Sequence, residues 1–220
     1  FSFSNSFFRS ISTLSSYNPK EKAFFICTFS VALLFSRTDF TAWSSFLTAE
    51  LYGSILYALV KSALASQPDH NELLSELALV CEKLQRFDEM ETLLRQLMAQ
   101  APQEAHAFNA LGYSLADRNI RLDEARQLIE RAVQLAPRDA YIQDSLGWVM
   151  FRQGQTTEAL RILRGAYQAK PDAEIAAHLG EVLWTVGQTG EAATIWREGL
   201  LLKADNETLV DTLKRFNFKP

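Results

Sequence analysis

Two residues that could bind a metal ion stand three positions apart in the last third of the chain. His178 and Glu181 lie on one predicted helix, and a spacing of three brings both side chains to the same face. The sequence offers no second pair of ligands, and it contains no HExxH, no GxSxG and no glycine-rich phosphate loop. We therefore expect a packed or solvated histidine, no cofactor and no enzymatic activity.

A second group of residues has the composition of a protein-binding surface. Tyr113, Trp148 and Trp184 recur at similar intervals, with polar residues between them. Aromatic side chains beside polar groups are typical of the residues that dominate binding energy. The alternative is that Trp148 and Trp184 fill gaps between structural repeats. The residues predicted to project together from the repeated helices are Asn109, Tyr113, Asp117, Tyr141, Asp144, Trp148, Arg152, Glu181 and Trp184.

Regularly spaced prolines indicate the elements that position these residues. Prolines at 68, 102, 137 and 171 are separated by 34, 35 and 34 residues, a period that belongs to arrays of helical hairpins. Short polar stretches divide each interval in two, and short connections force the paired helices to run antiparallel. The extra residue of the middle interval is expected in the loop at 117–122. The predicted helices are 71–84, 87–101, 105–118, 122–136, 140–153, 156–169, 173–186 and 189–203.

Small residues recur at fixed positions within the intervals. A Leu-Gly pair appears at 111–112, 146–147 and 179–180, and a second series recurs later in each unit. Helices approach closely only where side chains are small, so these positions predict the inner seam of each hairpin. The second series is Ala125, Ile129 and Ala132, then Ala159, Leu163 and Ala166, then Ala192, Trp196 and Gly199.

The proline period and the seam together resemble the tetratricopeptide repeat. The resemblance implies an all-α fold, an α-solenoid of about six antiparallel helix hairpins, with four clear units from about residue 69. In such arrays the first helix of each hairpin lines a concave surface that binds polypeptides. Residues 68–204 are expected to form this array.

Residues 1–67 are rich in phenylalanine and serine and keep the repeat pattern poorly. We predict two degenerate hairpins, with helices near 3–16, 20–35, 39–50 and 53–67. The second keeps register, because Ala63 stands five residues before Pro68. The apolar run 23–35 has 13 residues, which is too short to span a bilayer, and we expect a buried helix there.

Residues 205–220 are expected to form a capping helix and a tail. The predicted helix runs from about 206 to 216, with Asp205 as its N-cap. Its charged residues suit an outer face. A capping helix of this kind would cover the last apolar surface of the array.

Composition and charge exclude several classes of function. Apolar residues make up 48% of the chain and charged residues 22%, values that argue against disorder. A net charge of −4 gives no basic surface for nucleic acid. Cys27 and Cys81 are far apart, and we expect Cys81 to be a small buried residue.

Three segments within residues 100–215 resemble a narrower group of proteins. ALGYSLADRNIRLDEARQLIERAVQLAP, SLGWVMFRQGQTTEALRILRGAY and AAHLGEVLWTVGQTGEAATIW are similar to the C-terminal region of proteobacterial tetratricopeptide proteins of the cell envelope, often lipoproteins. Some of these bring cell-wall hydrolases to a carboxyl-terminal processing protease. The resemblance implies a location in the periplasm or at the outer membrane, with the cytoplasm as the alternative, and membrane association rests on this analogy alone.

Two hypotheses for the function follow. The first is a non-enzymatic scaffold or adaptor that holds a protein or peptide partner in the concave groove. Because the projecting residues include several acids and one arginine, the groove favours an extended segment with apolar and basic residues over a terminal carboxylate. The second is an assembly module that self-associates as a homo-oligomer, or docks, through its aromatic N-terminal hairpins.

Overall fold

The computed structural model describes residues 41–219, with side chains from residue 51 onward. In this part of the chain there are ten α-helices and no strand. Tyr52–Pro220 forms one compact unit that contains the hairpins and the C-terminal helix. The helices are α1 Thr41–Ser66, α2 Asn71–Lys83, α3 Phe87–Gln100, α4 Ala105–Asp117, α5 Leu122–Leu135, α6 Ala140–Arg152, α7 Thr156–Ala169, α8 Ala173–Thr185, α9 Thr189–Leu202 and α10 Glu207–Arg215.

The helices from α2 to α9 pair in order as four hairpins, and this confirms the predicted solenoid. Every one of the eight helices begins at the predicted residue. Most end one residue earlier than predicted, because the last predicted residue is the C-cap. Ala101, for example, has φ −127° and ψ 74°, outside the helical region. Pro102, Pro137 and Pro171 each follow such a C-cap directly, where proline cannot continue the helix.

Left-handed residues form the turns inside the hairpins. Gly154 and Gly187 have φ of 80° and 85°, and Gln85 and Asn119 take the corresponding place with φ of 56°. The loop between α4 and α5 spans 118–121 and is one residue longer than its counterparts, as predicted. Arg121, the additional residue, is also left-handed, with φ 46°.

The predicted seam is the place where paired helices touch. A Cβ atom built on Gly112 would lie 2.6 Å from Ile129 Cγ1, and one on Gly147 would lie 2.6 Å from Leu163 Cγ. Gly180 lies against Trp196 in the same way. Only a hydrogen side chain allows this approach, so each glycine fixes the distance between the helices of its hairpin.

The N-terminal part of the described chain departs from the prediction. Helices were expected at 39–50 and 53–67, but α1 runs without a break from Thr41 to Ser66. The residues between 50 and 53 include no proline, and Gly53 alone costs a helix only about 1 kcal/mol. The prediction of a second degenerate hairpin is therefore wrong. The helices predicted at 3–16 and 20–35, including the run 23–35, lie outside the described residues.

The helix α1 packs on the first hairpin of the array. Tyr57, Val60 and Leu64 contact the core that contains buried residues of α2 and α3. The Tyr57 hydroxyl also donates a hydrogen bond to Glu89 over 2.7 Å. Cys81 lies fully buried in this core, as predicted.

The helix α10 covers the apolar end of the last hairpin. Leu209 and Leu213 pack with Ala173, Ala177 and Trp196. The N-cap is Asn206 rather than Asp205, because the Asn206 side chain accepts a hydrogen bond of 2.9 Å from Leu209 N.

None of the helices within residues 41–219 combines the length and the apolar character needed to cross a bilayer.

Candidate functional site

The inner helices of three hairpins and the C-terminal helix enclose an open cavity of about 450 Å³. Its walls come from α4, α6 and α8 on one side and α10 on the other. Aromatic, basic and acidic side chains all contribute to it. The lining residues are Tyr113, Asp117, Trp148, Arg152, His178, Glu207, Thr208, Asp211, Thr212 and Arg215.

A buried chain of hydrogen bonds crosses the floor of this cavity. His178 Nδ1 lies 2.8 Å from Asp144 Oδ2, and His178 Nε2 lies 3.3 Å from the Tyr113 hydroxyl. Asp144 and His178 are 3% and 1% exposed. Because the three residues stand on α6, α8 and α4, these bonds fix three successive inner helices relative to one another.

The charge of this buried chain is governed by opposing effects. Burial lowers the pKa of His178, but the carboxylates of Asp144 and Glu174 outweigh it and raise the pKa above its usual value. Burial raises the pKa of the Tyr113 hydroxyl well above 10, with help from neighbouring carboxylates. A protonated His178 can donate to Asp144 and Tyr113 together, and this satisfies both ring nitrogens.

Trp148 forms the aromatic wall above His178. The two rings stack at a centroid distance of 4.3 Å with planes 23° apart. The Arg152 guanidinium lies 5.5 Å from the centre of the Trp148 ring and donates a hydrogen bond of 3.2 Å to the Asp117 carbonyl oxygen. The indole is only 2% exposed, so it does not project freely into the cavity.

The structure brings some of the predicted binding residues to the cavity and leaves the others elsewhere. Tyr113, Asp117, Trp148 and Arg152 line it. Asp144 is buried behind it as the partner of His178. Asn109 is half-buried and does not line the cavity, so the predicted face is split.

Three further predicted residues are occupied by other contacts. Tyr141, at the start of α6, donates a hydrogen bond of 3.2 Å to Asp172. Glu181 accepts a hydrogen bond of 3.0 Å from Arg215 and is 4% exposed. Trp184 stacks on Trp196 with centroids 5.2 Å apart, beneath aromatic residues of the C-terminal tail. This arrangement favours the gap-filling alternative for Trp184.

His178 and Glu181 do not form a shared metal site. The histidine bonds to Asp144 and the carboxylate to Arg215, so the two side chains serve different partners. Across residues 41–219, no group of three or more metal-binding side chains comes together. The central position of His178 was missed from the sequence, although its flanking by Ala177 and Leu179 was an available sign of burial.

The wall formed by α10 was also missed, because this helix was assigned only a capping role. Glu207, Asp211 and Arg215 recur every four residues and share the face that lines the cavity. A salt bridge joins Glu207 to Lys83, at the end of α2. The C-terminal helix therefore both covers the last hairpin and reaches back to the first.

Comparison with known proteins identifies the repeats. A family described as the tetratricopeptide repeat matches residues 90–140, and a second family of the same description matches residues 141–164 and 173–198. The TPR repeat-containing protein PA4667 of Pseudomonas aeruginosa is 46% identical over 112 residues, which are 51% of this chain and 19% of that protein. The chain thus spans about a fifth of that relative's length.

Solved structures show the same fold at lower identity. TTC0263, a thermophilic tetratricopeptide protein of Thermus thermophilus, superposes with a TM-score of 0.66 and 22% identity, covering 80% of this chain and 97% of that one. YrrB, described as having an unusual peptide-binding site, gives a TM-score of 0.50 and 16% identity, covering 84% and 97%. The repeat period, the glycine seam and these matches together show that residues 90–198 contain tetratricopeptide repeats.

Proposed function

We propose that the inner face of the array binds an extended segment of a partner protein and that the chain acts as a non-enzymatic scaffold. The observation that carries this proposal is the cavity, where Trp148, Tyr113 and Arg152 stand together between the inner helices and α10. Tetratricopeptide arrays use their concave surfaces for protein binding in general. A protein or peptide partner is the ligand that such a surface fits.

The rigidity of the cavity wall supports this function. Trp148 is held by stacking on His178, and Tyr113 is held by its bond to the same ring. Side chains that are already ordered lose little conformational entropy when a ligand binds. A larger depression of about 880 Å³ on the outer helix α5 is lined mainly by polar and charged residues such as Arg126 and Glu130. Its lining includes no aromatic anchor, so the inner cavity is the better candidate.

The more specific role of an adaptor in the bacterial envelope, serving a carboxyl-terminal processing protease, rests on the resemblance of residues 100–215. The match to PA4667 supports a bacterial origin for this type of repeat, since it reaches 46% identity. Because the chain spans 19% of that protein, the activities of the longer protein do not transfer with the repeat. The peptide-binding site described for YrrB supports the general mode of binding.

Site-specific photocrosslinking tests the groove directly. A benzoyl-phenylalanine replaces Thr208, a partly exposed residue of α10 in the cavity lining, and in a control it replaces Gln168, an exposed residue of the outer helix α7. Both variants of the full chain are irradiated in native extract and the adducts are identified by mass spectrometry. We expect a protein adduct from position 208 and none of the same identity from position 168. Equal adducts from both positions would refute the groove assignment.

Self-association is the second candidate function, and α1 carries it. Tyr52, Leu56 and Leu59 are 51%, 48% and 46% exposed and recur at helical spacing on one face. Light scattering after size exclusion on the parent and on Leu56→Glu/Leu59→Glu tests this role. A dimer in the parent that becomes a monomer in the variant supports it. A truncation at residue 69 is less suitable, since Tyr57 and Leu64 pack on the core.

A further inference from the structure

Two hydrogen-bond donors on one face of α6 have no acceptor. Trp148 Nε1 and Arg152 Nε are both buried, and neither has a partner within the described residues. The two residues are four positions apart, and both line the cavity. A buried donor without an acceptor costs free energy, and a ligand oxygen at this wall would offset that cost.

The charges around the cavity decide which kind of oxygen fits. Three carboxylates line it, Asp117, Glu207 and Asp211, against the two guanidinium groups of Arg152 and Arg215. Arg215 is already held by the buried Glu181, 3.0 Å from its oxygen. The lining therefore has an excess of negative charge, which would repel a carboxylate of the ligand. The oxygen that fits is then the neutral carbonyl oxygen of a polypeptide main chain.

The lysines that neutralise this excess lie on the solvent side. Lys83 pairs with Glu207 and Lys214 pairs with Asp211, and all four side chains are at least 72% exposed. Exposed pairs of this kind contribute little free energy and exchange readily. Asp117 has no salt bridge with any residue from 51 to 219.

Two further carboxylates lie on the inner helices α2 and α8. Glu82 on α2 and Glu174 on α8 form no ion pair in the same part of the chain, and burial raises the pKa of both. Asp117 also raises the pKa of Glu82, and Asp144 raises the pKa of Glu174. The acids of different inner helices therefore act on one another. His178 offsets both Asp144, its direct partner, and Glu174, whose pKa it lowers against the effect of burial.

We propose that the cavity binds a lysine or arginine residue within the partner's extended segment. The carboxylates of Asp117, Glu207 and Asp211 surround its positive charge, and the N–H groups of Trp148 and Arg152 bind a neighbouring main-chain carbonyl oxygen. The Tyr113 ring, which lines the same cavity, offers apolar surface to the aliphatic stem. This inference rests on the proposed function and names the class of segment that the groove selects.

A peptide array with the full chain tests the proposal. The array carries ten-residue segments of mixed composition, blocked at both ends, together with the same segments ending in a free carboxylate. The strongest blocked binder that contains lysine is then made with glutamine and with glutamate at that position, and affinities are measured by fluorescence anisotropy. We expect about a tenfold loss with glutamine and a larger loss with glutamate.

A matched pair of variants locates the charge recognition. Asp117→Asn/Glu207→Gln/Asp211→Asn should weaken the lysine peptide about tenfold and leave the glutamine peptide unchanged, whereas Asp205→Asn, an exposed acid outside the cavity lining, should change neither. Peptides that bind equally with lysine, glutamine and glutamate, or better with a free carboxylate, overturn the inference and leave the groove function standing. A complete absence of peptide binding removes both proposals.

Discussion

The indole of Trp196 lies directly over Gly180, so that a Cβ atom on the glycine would overlap Nε1, Cδ1 and Cε2 of the ring. Trp196 takes the place that Ile129 and Leu163 occupy in the preceding hairpins, and it is fully buried. The last hairpin thus accommodates the largest side chain at the seam by having the smallest residue opposite.

Gly180→Ala should destabilise the chain by about 3 kcal/mol, because the rigid indole cannot move aside within a packed core. Urea unfolding followed by circular dichroism measures the change. Gly165→Ala is the control, since a Cβ at this helical position meets nothing within 4 Å. It should raise stability by about 0.5–1 kcal/mol through helix propensity. Equal unfolding midpoints for Gly180→Ala and the parent would contradict the close contact.

The turn residues predict a second pair of stability changes. Gln85 has φ 56°, and the left-handed region costs a residue with a side chain about 1–2 kcal/mol. Gln85→Gly should therefore raise the free energy of unfolding by about 0.5 kcal/mol, after the greater chain entropy of glycine is subtracted. Gly154→Ala, at φ 80°, should lower it by about 1 kcal/mol. If the free energy of unfolding changes in the same direction in both variants, the left-handed turn geometry is not the cause of the changes.

The buried His178 predicts a dependence of stability on pH. Its folded pKa is raised by Asp144 and Glu174 against the effect of burial, so the folded protein holds the proton more tightly than the unfolded chain. The resulting stabilisation is complete below the unfolded pKa of about 6.5 and is lost as pH rises through the folded pKa. The difference in stability between the parent and His178→Gln should shrink from pH 6 to pH 9.

A substitution without a titratable group checks that assignment. Gln168 is exposed, and the difference in stability between the parent and Gln168→Ala should stay constant at every pH. Urea unfolding at four or five pH values gives the comparison. A constant difference between the parent and His178→Gln would show that His178 is neutral in the folded chain throughout this range.

Two salt bridges of α10 should differ sharply in their contribution to the free energy of unfolding. Glu181 has a side chain only 6% exposed, so Arg215→Gln leaves a buried carboxylate without its cation and should cost about 2 kcal/mol. Lys83 and Glu207 are 72% and 77% exposed, and Lys83→Gln should cost less than about 0.5 kcal/mol. Double-mutant cycles on the two pairs measure both couplings. A larger coupling for the exposed pair would reverse this ranking.

The sequence was sufficient for the array because the repeat constrains each helix several times over. A proline after the C-caps of α3, α5 and α7, a glycine at 112, 147 and 180 and a short polar connection within each hairpin all agree on the boundaries. The start of every helix from α2 to α9 was predicted on this basis. The prediction was wrong in the part of the chain that lacks the repeat period. A helix break was expected near residue 52, but a single glycine does not end a helix that packs along its length.

The site was less predictable, since it depends on contacts that do not follow the period. Asp144 and His178 are not equivalent positions of their repeats, yet they form the central bond of the cavity floor. Asp205 and Asn206 could each cap a helix, and only the path of the chain selects Asn206. The wall contributed by α10 could not be predicted from the repeats, because α10 lies outside the array and the repeat pattern does not specify where it packs.

The bond between Tyr113 and His178 joins residues 65 apart in the chain and passes over the whole hairpin between them. In an ideal repeat protein each unit touches only its neighbours, so unfolding can spread from either end in steps. A link between next-nearest units couples those steps. The three hairpins from α4 to α9 should therefore melt as a single cooperative block, with the outermost elements fraying first and the cavity persisting until the block is lost.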